Sequence, residues 1–147
     1  MWLFTKYGFF SAVQNMDNPG LTHVRARFKG DLERLISYAY GHRELRSVLS
    51  PKKPVVRFTP RNDYAWRADF VKQDFAAVVA AIALEIDYKN FKNAAHCGTS
   101  RDSAYMRVWG VMSAAQHQSL NSAAAASQPS LFGSSGNARA PRRRRRP

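Results

Sequence analysis

Apolar and polar residues alternate along two segments of the chain, and this period of two predicts β-strands. Segments 21–28 and 64–71 carry apolar residues at every second position. The polar positions between them are His23, Arg25, Arg27, Arg67 and Asp69. Each segment is therefore expected to form a half-buried strand, with its apolar side chains on the core and its polar side chains on the other face of the sheet.

Two more strands are predicted from composition. Segment 2–13 is rich in aromatic and β-branched residues, and segment 55–59 precedes a turn at 60–63. Gly8 interrupts the first of these segments, and a glycine inside a strand typically marks a bulge or a close backbone approach. A turn over 15–20 contains Pro19 and Gly20, a pair typical of a type II turn.

A period near 3.6 predicts three helices, over about 30–40, 73–86 and 101–116. Their expected buried stripes are Leu32, Leu35, Ile36 and Ala39; Phe75, Val78, Val79, Ile82 and Ile86; and Tyr105, Val108, Trp109 and Met112. Gly41 is expected to cap the first helix. Segment 42–54, with two prolines, is expected to be a loop, and 87–97 a connection.

The order of elements predicts an α+β fold. It consists of an antiparallel sheet of about four strands with helices on one face, in the order ββα-ββα followed by a third helix. This order is compatible with an internal duplication. Residues 1–117 are expected to form the single domain, because the composition then shifts to Ala, Ser, Gln, Gly and Pro. Residues 118–147 are expected to be a disordered basic tail.

Charge is distributed unevenly along the 147 residues. The formal net charge is +13, and the last 30 residues contain no acidic residue but six arginines, Arg139 and Arg142 to Arg146. Subtracting these six charges leaves +7 for residues 1–117. The basic composition favours an anionic partner such as nucleic acid, although nearly half of the excess lies in the predicted tail.

The remaining composition excludes several classes. A single cysteine, Cys97, excludes an intrachain disulfide framework and a CxxC zinc site, and is typical of a reducing compartment. No segment approaches the ~20 apolar residues of a membrane span. We therefore expect a soluble cytoplasmic protein with no membrane partner.

Four blocks of the sequence together resemble a family of short proteins of bacteria and their mobile elements. The blocks are MWLFTKYGFFSAVQ, LTHVRARFKGDLERL, EIDYKNFKNAAH and YMRVWGVM, in this order within residues 1–116. The resemblance implies that positions in these blocks belong to a shared pattern, among them Arg25, Arg27, Asp87, Tyr88, Asn90, Phe91, Lys92 and Trp109. It implies no activity, fold name or partner, and segment 42–54 is expected to be a variable loop beside the pattern.

The polar face of the predicted sheet is the leading candidate for a binding site. Arg25, Arg27, Arg57 and Arg67 are expected to project from it, with Tyr7 and Phe9 on the neighbouring first strand. Planar guanidinium donors beside aromatic rings suit single-stranded nucleic acid or another phosphate-rich ligand. The alternative is a solvated face whose arginines pair with Asp69 and Glu33.

A second candidate is a small pocket formed by Asp87, Asn90, Lys92 and His96. The alternative there is structural, with Tyr88 and Phe91 filling the core and Asp87 or Asn90 capping a helix. An enzyme built around Asp63, Asp87 and His96 requires these groups to converge. The spacing of the histidines and Cys97 matches no metal motif, and no phosphate loop or nucleophile elbow is present, so no cofactor, metal or catalytic residue is assigned.

The sequence therefore predicts a small, non-catalytic nucleic-acid-associated protein that binds RNA or DNA with weak sequence specificity. The alternative is a protein–protein interaction module that docks on an acidic partner surface. A homodimer is a further possibility, if the third helix docks on a second copy rather than on its own core. The tail has two interpretations, an electrostatic arm or an incidental product of GC-rich coding or of a shifted reading frame, and both concern Arg142, Arg143, Arg144, Arg145 and Arg146.

Overall fold

The protein has an α+β fold, as predicted, built on a five-stranded antiparallel sheet. The computed structural model describes residues 1–96 and 100–126. The strands are β1 (Trp2–Thr5), β2 (Gly8–Gln14), β3 (Leu21–Ala26), β4 (Arg57–Phe58) and β5 (Trp66–Val71). The helices are α1 (Lys29–Gly41), α2 (Arg43–Val48), α3 (Lys72–Leu84), α4 (Phe91–Ala95) and α5 (Ser100–Ala126).

The strands lie in the order β1-β2-β3-β5-β4, and every neighbouring pair is antiparallel. Helices α1 and α3 pack on one face of the sheet. The core between them is formed by alternate residues of β2, β3 and β5 and by the inner stripes of the helices, including Phe10, Val24, Ala26, Leu32, Leu35, Ala68, Phe70, Phe75 and Val78. The alternation in β3 and β5 thus places their polar residues on the opposite face, as predicted.

The first predicted strand is in fact a hairpin. Residues 2–13 do not run straight but turn at Lys6 and Tyr7, so that β1 pairs with β2 and the sheet gains a strand. The Thr5 hydroxyl accepts hydrogen bonds from the backbone N–H groups of Tyr7 (3.1 Å) and Gly8 (3.2 Å). A threonine hydroxyl that satisfies local backbone donors stabilises a tight turn. Three strands therefore precede α1, which corrects the predicted ββα-ββα order.

The expected close backbone approach at Gly8 is confirmed by its distance from helix α1. A Cβ added to Gly8 would lie 2.6 Å from both Cβ and Cγ of Asp31. Asp31 is 1% exposed and accepts a hydrogen bond from Phe9 N–H at 3.1 Å. Its carboxylate also pairs with Arg34 and, at 3.1 Å, with Arg101. One buried carboxylate thus fixes the hairpin to the start of α1 and the start of α5.

Several element boundaries differ from the predictions. Gly41 is the last residue of α1, and the C-cap is His42. The predicted loop over 42–54 contains α2, whose Leu45 is buried. Strand β4 has only two residues. Helix α3 ends at Leu84, and Ile86, expected in the core, is 58% exposed because it lies beyond the last turn.

The chain divides into two compact units, Met1–Tyr105 and a second that begins at Met106. The first contains the sheet and Tyr105, which is half-buried against Phe4 and Phe91. The other members of the predicted α5 stripe are exposed, so their assignment to the core is wrong: Val108 41%, Trp109 53% and Met112 66%.

Helix α5 continues past His117 to Ala126, so helical structure does not end at the predicted domain boundary. The rest of the predicted tail, with Arg142–Arg146, lies outside the described residues, as does Cys97. None of the helices described is long and apolar enough to cross a membrane.

Candidate functional site

Three of the four predicted arginines lie in one line across the sheet. Arg25 on β3 is the direct cross-strand partner of Arg67 on β5, and Arg67 is the partner of Arg57 on β4. Directly paired residues of neighbouring strands project from the same face. We call these three residues the arginine row, and the sheet face that carries them, opposite the face covered by α1 and α3, the arginine face.

The row extends through the two remaining strands. Ser11 on β2 is paired with Arg25, and Trp2 on β1 is paired with Ser11. Arg25 donates a hydrogen bond to the Ser11 hydroxyl at 2.7 Å. The complete line across the sheet is therefore Trp2, Ser11, Arg25, Arg67 and Arg57. With neighbouring strands about 4.8 Å apart, it measures roughly 19 Å.

Tyr64 lies between two of the four arginines. The guanidinium of Arg25 lies 4.9 Å and that of Arg27 4.7 Å from the centre of its ring. Tyr64 is 3% exposed, so the two cations cover it on the side of the arginine face. Arg27, which follows β3, also donates to the backbone oxygen of Asp63 at 2.9 Å. These contacts orient both planar groups before any ligand arrives.

Asp69 neutralises one end of the arginine row. It pairs with Arg57 and with His23, whose Nδ1 lies 2.5 Å from the carboxylate, and it accepts a hydrogen bond from Asn15 at 3.1 Å. Burial raises the pKa of the Asp69 carboxyl, but the hydrogen bonds from His23, Arg57 and Asn15 outweigh burial and hold the pKa below its usual value. Asp69 therefore stays charged and fixes the position of Arg57.

Arg67, at the centre of the row, makes weaker internal contacts. Its Nε donates to the backbone oxygen of Tyr64 at 3.4 Å, and its Nη1 lies 3.4 Å from His23 Nε2. In the part of the chain described, Asp69 is the one carboxylate that pairs with these four arginines. The row thus carries more positive charge than its own surroundings neutralise.

Aromatic rings continue the arginine face on the side of β1 and β2. Phe9 stacks on Phe4 at 4.4 Å, meets Trp2 edge to face at 5.6 Å and lies 6.3 Å from Tyr64. Phe9 and Phe4 are half-buried, whereas Trp2 is 68% exposed. The aromatic surface predicted beside the arginines is therefore present, and Trp2 exposes the largest fraction of it.

Tyr7 does not belong to this face, contrary to the prediction. It lies in the β1–β2 turn, and its ring packs 4.4 Å from Tyr38 of α1. Its hydroxyl donates to Glu85 at 3.4 Å. Burial first, and then the negative charge of Glu85, raise the pKa of Tyr7 to about 12. Burial and Glu85 likewise raise the pKa of Tyr38. Tyr7 thus packs against helix α1. Because it lies in the β1–β2 turn and not in a strand, its ring is not on the arginine face.

Two residues of the predicted small pocket, Asn90 and His96, make contacts close to them in the sequence. Asn90 caps α4 by accepting a hydrogen bond from Lys92 N–H at 2.9 Å, and His96 pairs with Asp102 at 3.4 Å. The negative charge of Asp87 adds to the burial and the Glu85 charge that raise the pKa of Tyr7. A surface depression of about 540 Å³ on the helical side is lined by Tyr7, Gly30, Glu33, Arg34, Ser37 and Tyr38. The capping contact favours the structural interpretation of this segment.

Two of the three groups proposed for an enzyme, Asp63 and His96, contact different neighbours. Asp63 accepts a hydrogen bond from Tyr64 N–H at 2.9 Å, beside Arg27, whereas His96 pairs with Asp102 at 3.4 Å. Over residues 1–96 and 100–126, no group of three or more His, Cys, Asp or Glu side chains is arranged to hold a metal ion.

Trp2, Tyr64 and His23 belong to the arginine face but were not among the predicted site residues. Alternation identified His23 as a polar position of β3, and its proximity to Asp69 depends on the β3–β5 register. The position of Trp2 on this face depends on the β1–β2 hairpin. Comparison of the chain with family models, curated proteins and solved structures finds no match.

Proposed function

We propose that this protein is a non-catalytic nucleic-acid-associated protein that holds a phosphate backbone on the arginine face. The observation that carries the proposal is the register Arg25–Arg67–Arg57. Like charges directly opposite each other in a sheet reduce its stability. An anion bound across the row would relieve this repulsion.

The chemistry of the row suits phosphate more than a generic counterion. Guanidinium groups bind phosphate oxygens through two parallel N–H bonds and stay charged at every physiological pH. The contacts of Arg25 and Arg27 with Tyr64 reduce the side-chain entropy that binding would otherwise cost. Backbone contacts of this kind carry little sequence information, so weak sequence specificity is expected.

The predicted tail contributes separately. Five consecutive arginines, Arg142–Arg146, attract any polyanion and release counterions on contact. Measurements on the arginine face must therefore be made in a full-length protein in which these five residues are replaced by glutamine, as well as in the natural sequence.

The test is fluorescence anisotropy with a labelled oligonucleotide of about 16 nucleotides over a range of salt concentrations. The variant is Arg25→Gln with Arg67→Gln, and the matched control is Arg43→Gln with Arg46→Gln on the exposed surface of α2. Both remove two positive charges. We expect the first to weaken binding about tenfold and to reduce the slope of log K against log salt by about 0.7 for each arginine removed.

An equal loss in both variants would show that only net charge matters. Binding of acidic polypeptides but not of oligonucleotides would favour the alternative, a module that docks on an acidic protein surface. Nucleic acid that copurifies with the protein, measured as an absorbance ratio before and after nuclease treatment, separates these two partners independently.

A further inference from the structure

The aromatic end of the line across the sheet bears on whether the arginine face prefers single-stranded or double-stranded nucleic acid. This inference rests on the proposed function and concerns the side chain paired with Ser11. Trp2 lies on β1, and its ring is supported from one side by Phe9 in an edge-to-face contact at 5.6 Å. Phe9 is supported in turn by Phe4 and Tyr64.

Backbone contacts hold Trp2 in this position. The Met1 N–H group donates to Ala12 O and Ala12 N–H donates to Met1 O, both at 2.8 Å. The start of β1 is therefore hydrogen-bonded to β2 on the residue before Trp2. The backbone of the strand is therefore fixed, and the 68% exposed indole lies on the line of the arginine row with one of its sides against Phe9.

We infer that Trp2 is a base-stacking site and that the preferred ligand of the arginine face is single-stranded nucleic acid, with a base on Trp2 and the adjoining phosphates on Arg25, Arg67 and Arg57. A duplex keeps its bases stacked inside and offers only phosphates and groove edges to a flat sheet. An unpaired base has a free π-face, and stacking on an aromatic side chain tolerates any base. The arginine row therefore serves both forms, whereas Trp2 serves only the single strand.

The arginine row and Trp2 lie on one line across the sheet, at distances that one nucleic-acid strand can span. The arginine row spans two interstrand steps, roughly 10 Å, and Trp2 lies two further steps along the same line. Ser11, between them, is small and 1% exposed, and the guanidinium of Arg25 reaches it with a hydrogen bond at 2.7 Å, so the cation extends from β3 towards the ring. A strand lying across the sheet meets the ring first and the cations next.

The test compares a labelled single-stranded oligonucleotide with its own duplex, using the full-length protein with Arg142–Arg146 replaced by glutamine. The variant Trp2→Ala is expected to weaken single-strand binding about tenfold, the loss of one stacked base, and to leave duplex binding unchanged within about twofold. Circular dichroism checks that the exposed substitution leaves the fold intact.

Intrinsic fluorescence gives a second readout that does not depend on affinity. The chain has three tryptophans, and Trp66 lies half-buried on the opposite face, paired with the buried Ala26. In a Trp109→Phe background, which removes the exposed third tryptophan, oligonucleotide should quench the parent protein and its Trp66→Phe variant but not its Trp2→Phe variant. Quenching that survives in Trp2→Phe, or an equal loss of single-strand and duplex binding in Trp2→Ala, would overturn the inference.

The failures of the two proposals are distinguishable. If the protein binds neither form at low salt, the proposed function itself is wrong and this inference falls with it. If it binds both forms through Arg25 and Arg67 with no contribution from Trp2, only the single-strand inference is wrong.

Discussion

Arg25 and Arg67 face each other directly across β3 and β5, on the face of the sheet that α1 and α3 leave uncovered. Replacing one of them tests whether the pair is kept for binding. Arg67→Gln should increase the free energy of unfolding by about 0.2–1 kcal/mol, because it removes a like-charge cross-strand pair, and should weaken oligonucleotide binding. Urea denaturation and anisotropy measure the two effects. An Arg67→Gln protein that is less stable than wild type and binds the oligonucleotide equally well would contradict this account.

The short distance between the Gly8 backbone and Asp31 requires a glycine at position 8. Gly8→Ala should destabilise the fold by about 1–3 kcal/mol, because the new methyl group would lie 2.6 Å from Asp31 Cβ in a place that cannot expand. Gly41→Ala is the matched control, since a Cβ there meets nothing within 4 Å, and alanine in the last turn of α1 should stabilise by up to about 1 kcal/mol. Similar urea midpoints for both variants would refute the close approach.

Asp31 is the buried partner of two arginines. Asp31→Asn should cost about 1.5–3 kcal/mol, because the buried Arg101 and its neighbour Arg34 each lose a charge-assisted hydrogen bond to this carboxylate. Glu33→Gln, an exposed change on the same helix that affects a pair with Lys29, should stay within about 0.5 kcal/mol. Thermal and urea unfolding measure both, and a loss below about 1 kcal/mol for Asp31→Asn would mean that Arg101 does not depend on this carboxylate.

Asp69 should make the free energy of unfolding depend on pH in the acidic range. Because its pKa in the folded protein lies below the usual value, the unfolded chain binds the proton more readily. Its contribution is therefore complete above the ordinary pKa of an aspartate, about 3.9, and is lost as the pH falls below it through the folded value. Asp69→Asn should be less stable than wild type at neutral pH and should lose less stability on acidification.

The matched control for acidification is Asp17→Asn, which removes an exposed carboxylate from the turn before β3. It should retain the acid dependence of the wild-type protein. Denaturant midpoints measured from pH 7 down to about pH 3 compare the three proteins. If Asp69→Asn follows the wild-type curve, the carboxylate does not link protonation to folding in this range.

Alternation in the sequence predicted which side of β3 and β5 would carry Arg25 and Arg67, because a half-buried strand fixes both faces at once. It did not predict the β1–β2 turn, since aromatic residues continue on both sides of Lys6 and Tyr7 and the usual Asn-Gly signal is absent. The Thr5 hydroxyl, two residues before Tyr7, was the local signal for this turn. Without the hairpin, Trp2 could not be placed beside Ser11.

Tertiary contacts explain the other differences. Asp31 reads in sequence as an ordinary acidic residue at a helix start, and only the approach of Gly8 and Arg101 shows that it is buried. The helical period of α5 correctly predicted a helix, but a period gives no information about what covers the apolar side. Trp109 and Met112 are accordingly exposed where a core was expected.

The two-residue strand β4 also limits what the sheet can join. Arg57 and Phe58 form the outer edge beyond β5, and such a short, charged edge offers few free backbone groups to an incoming chain. Sheets that end in this way resist edge-to-edge polymerisation. Arg57 therefore has a second place in the fold besides the row: its charge lies on an edge too short to pair well with an incoming strand, which disfavours edge-to-edge association on the β4 side of the sheet.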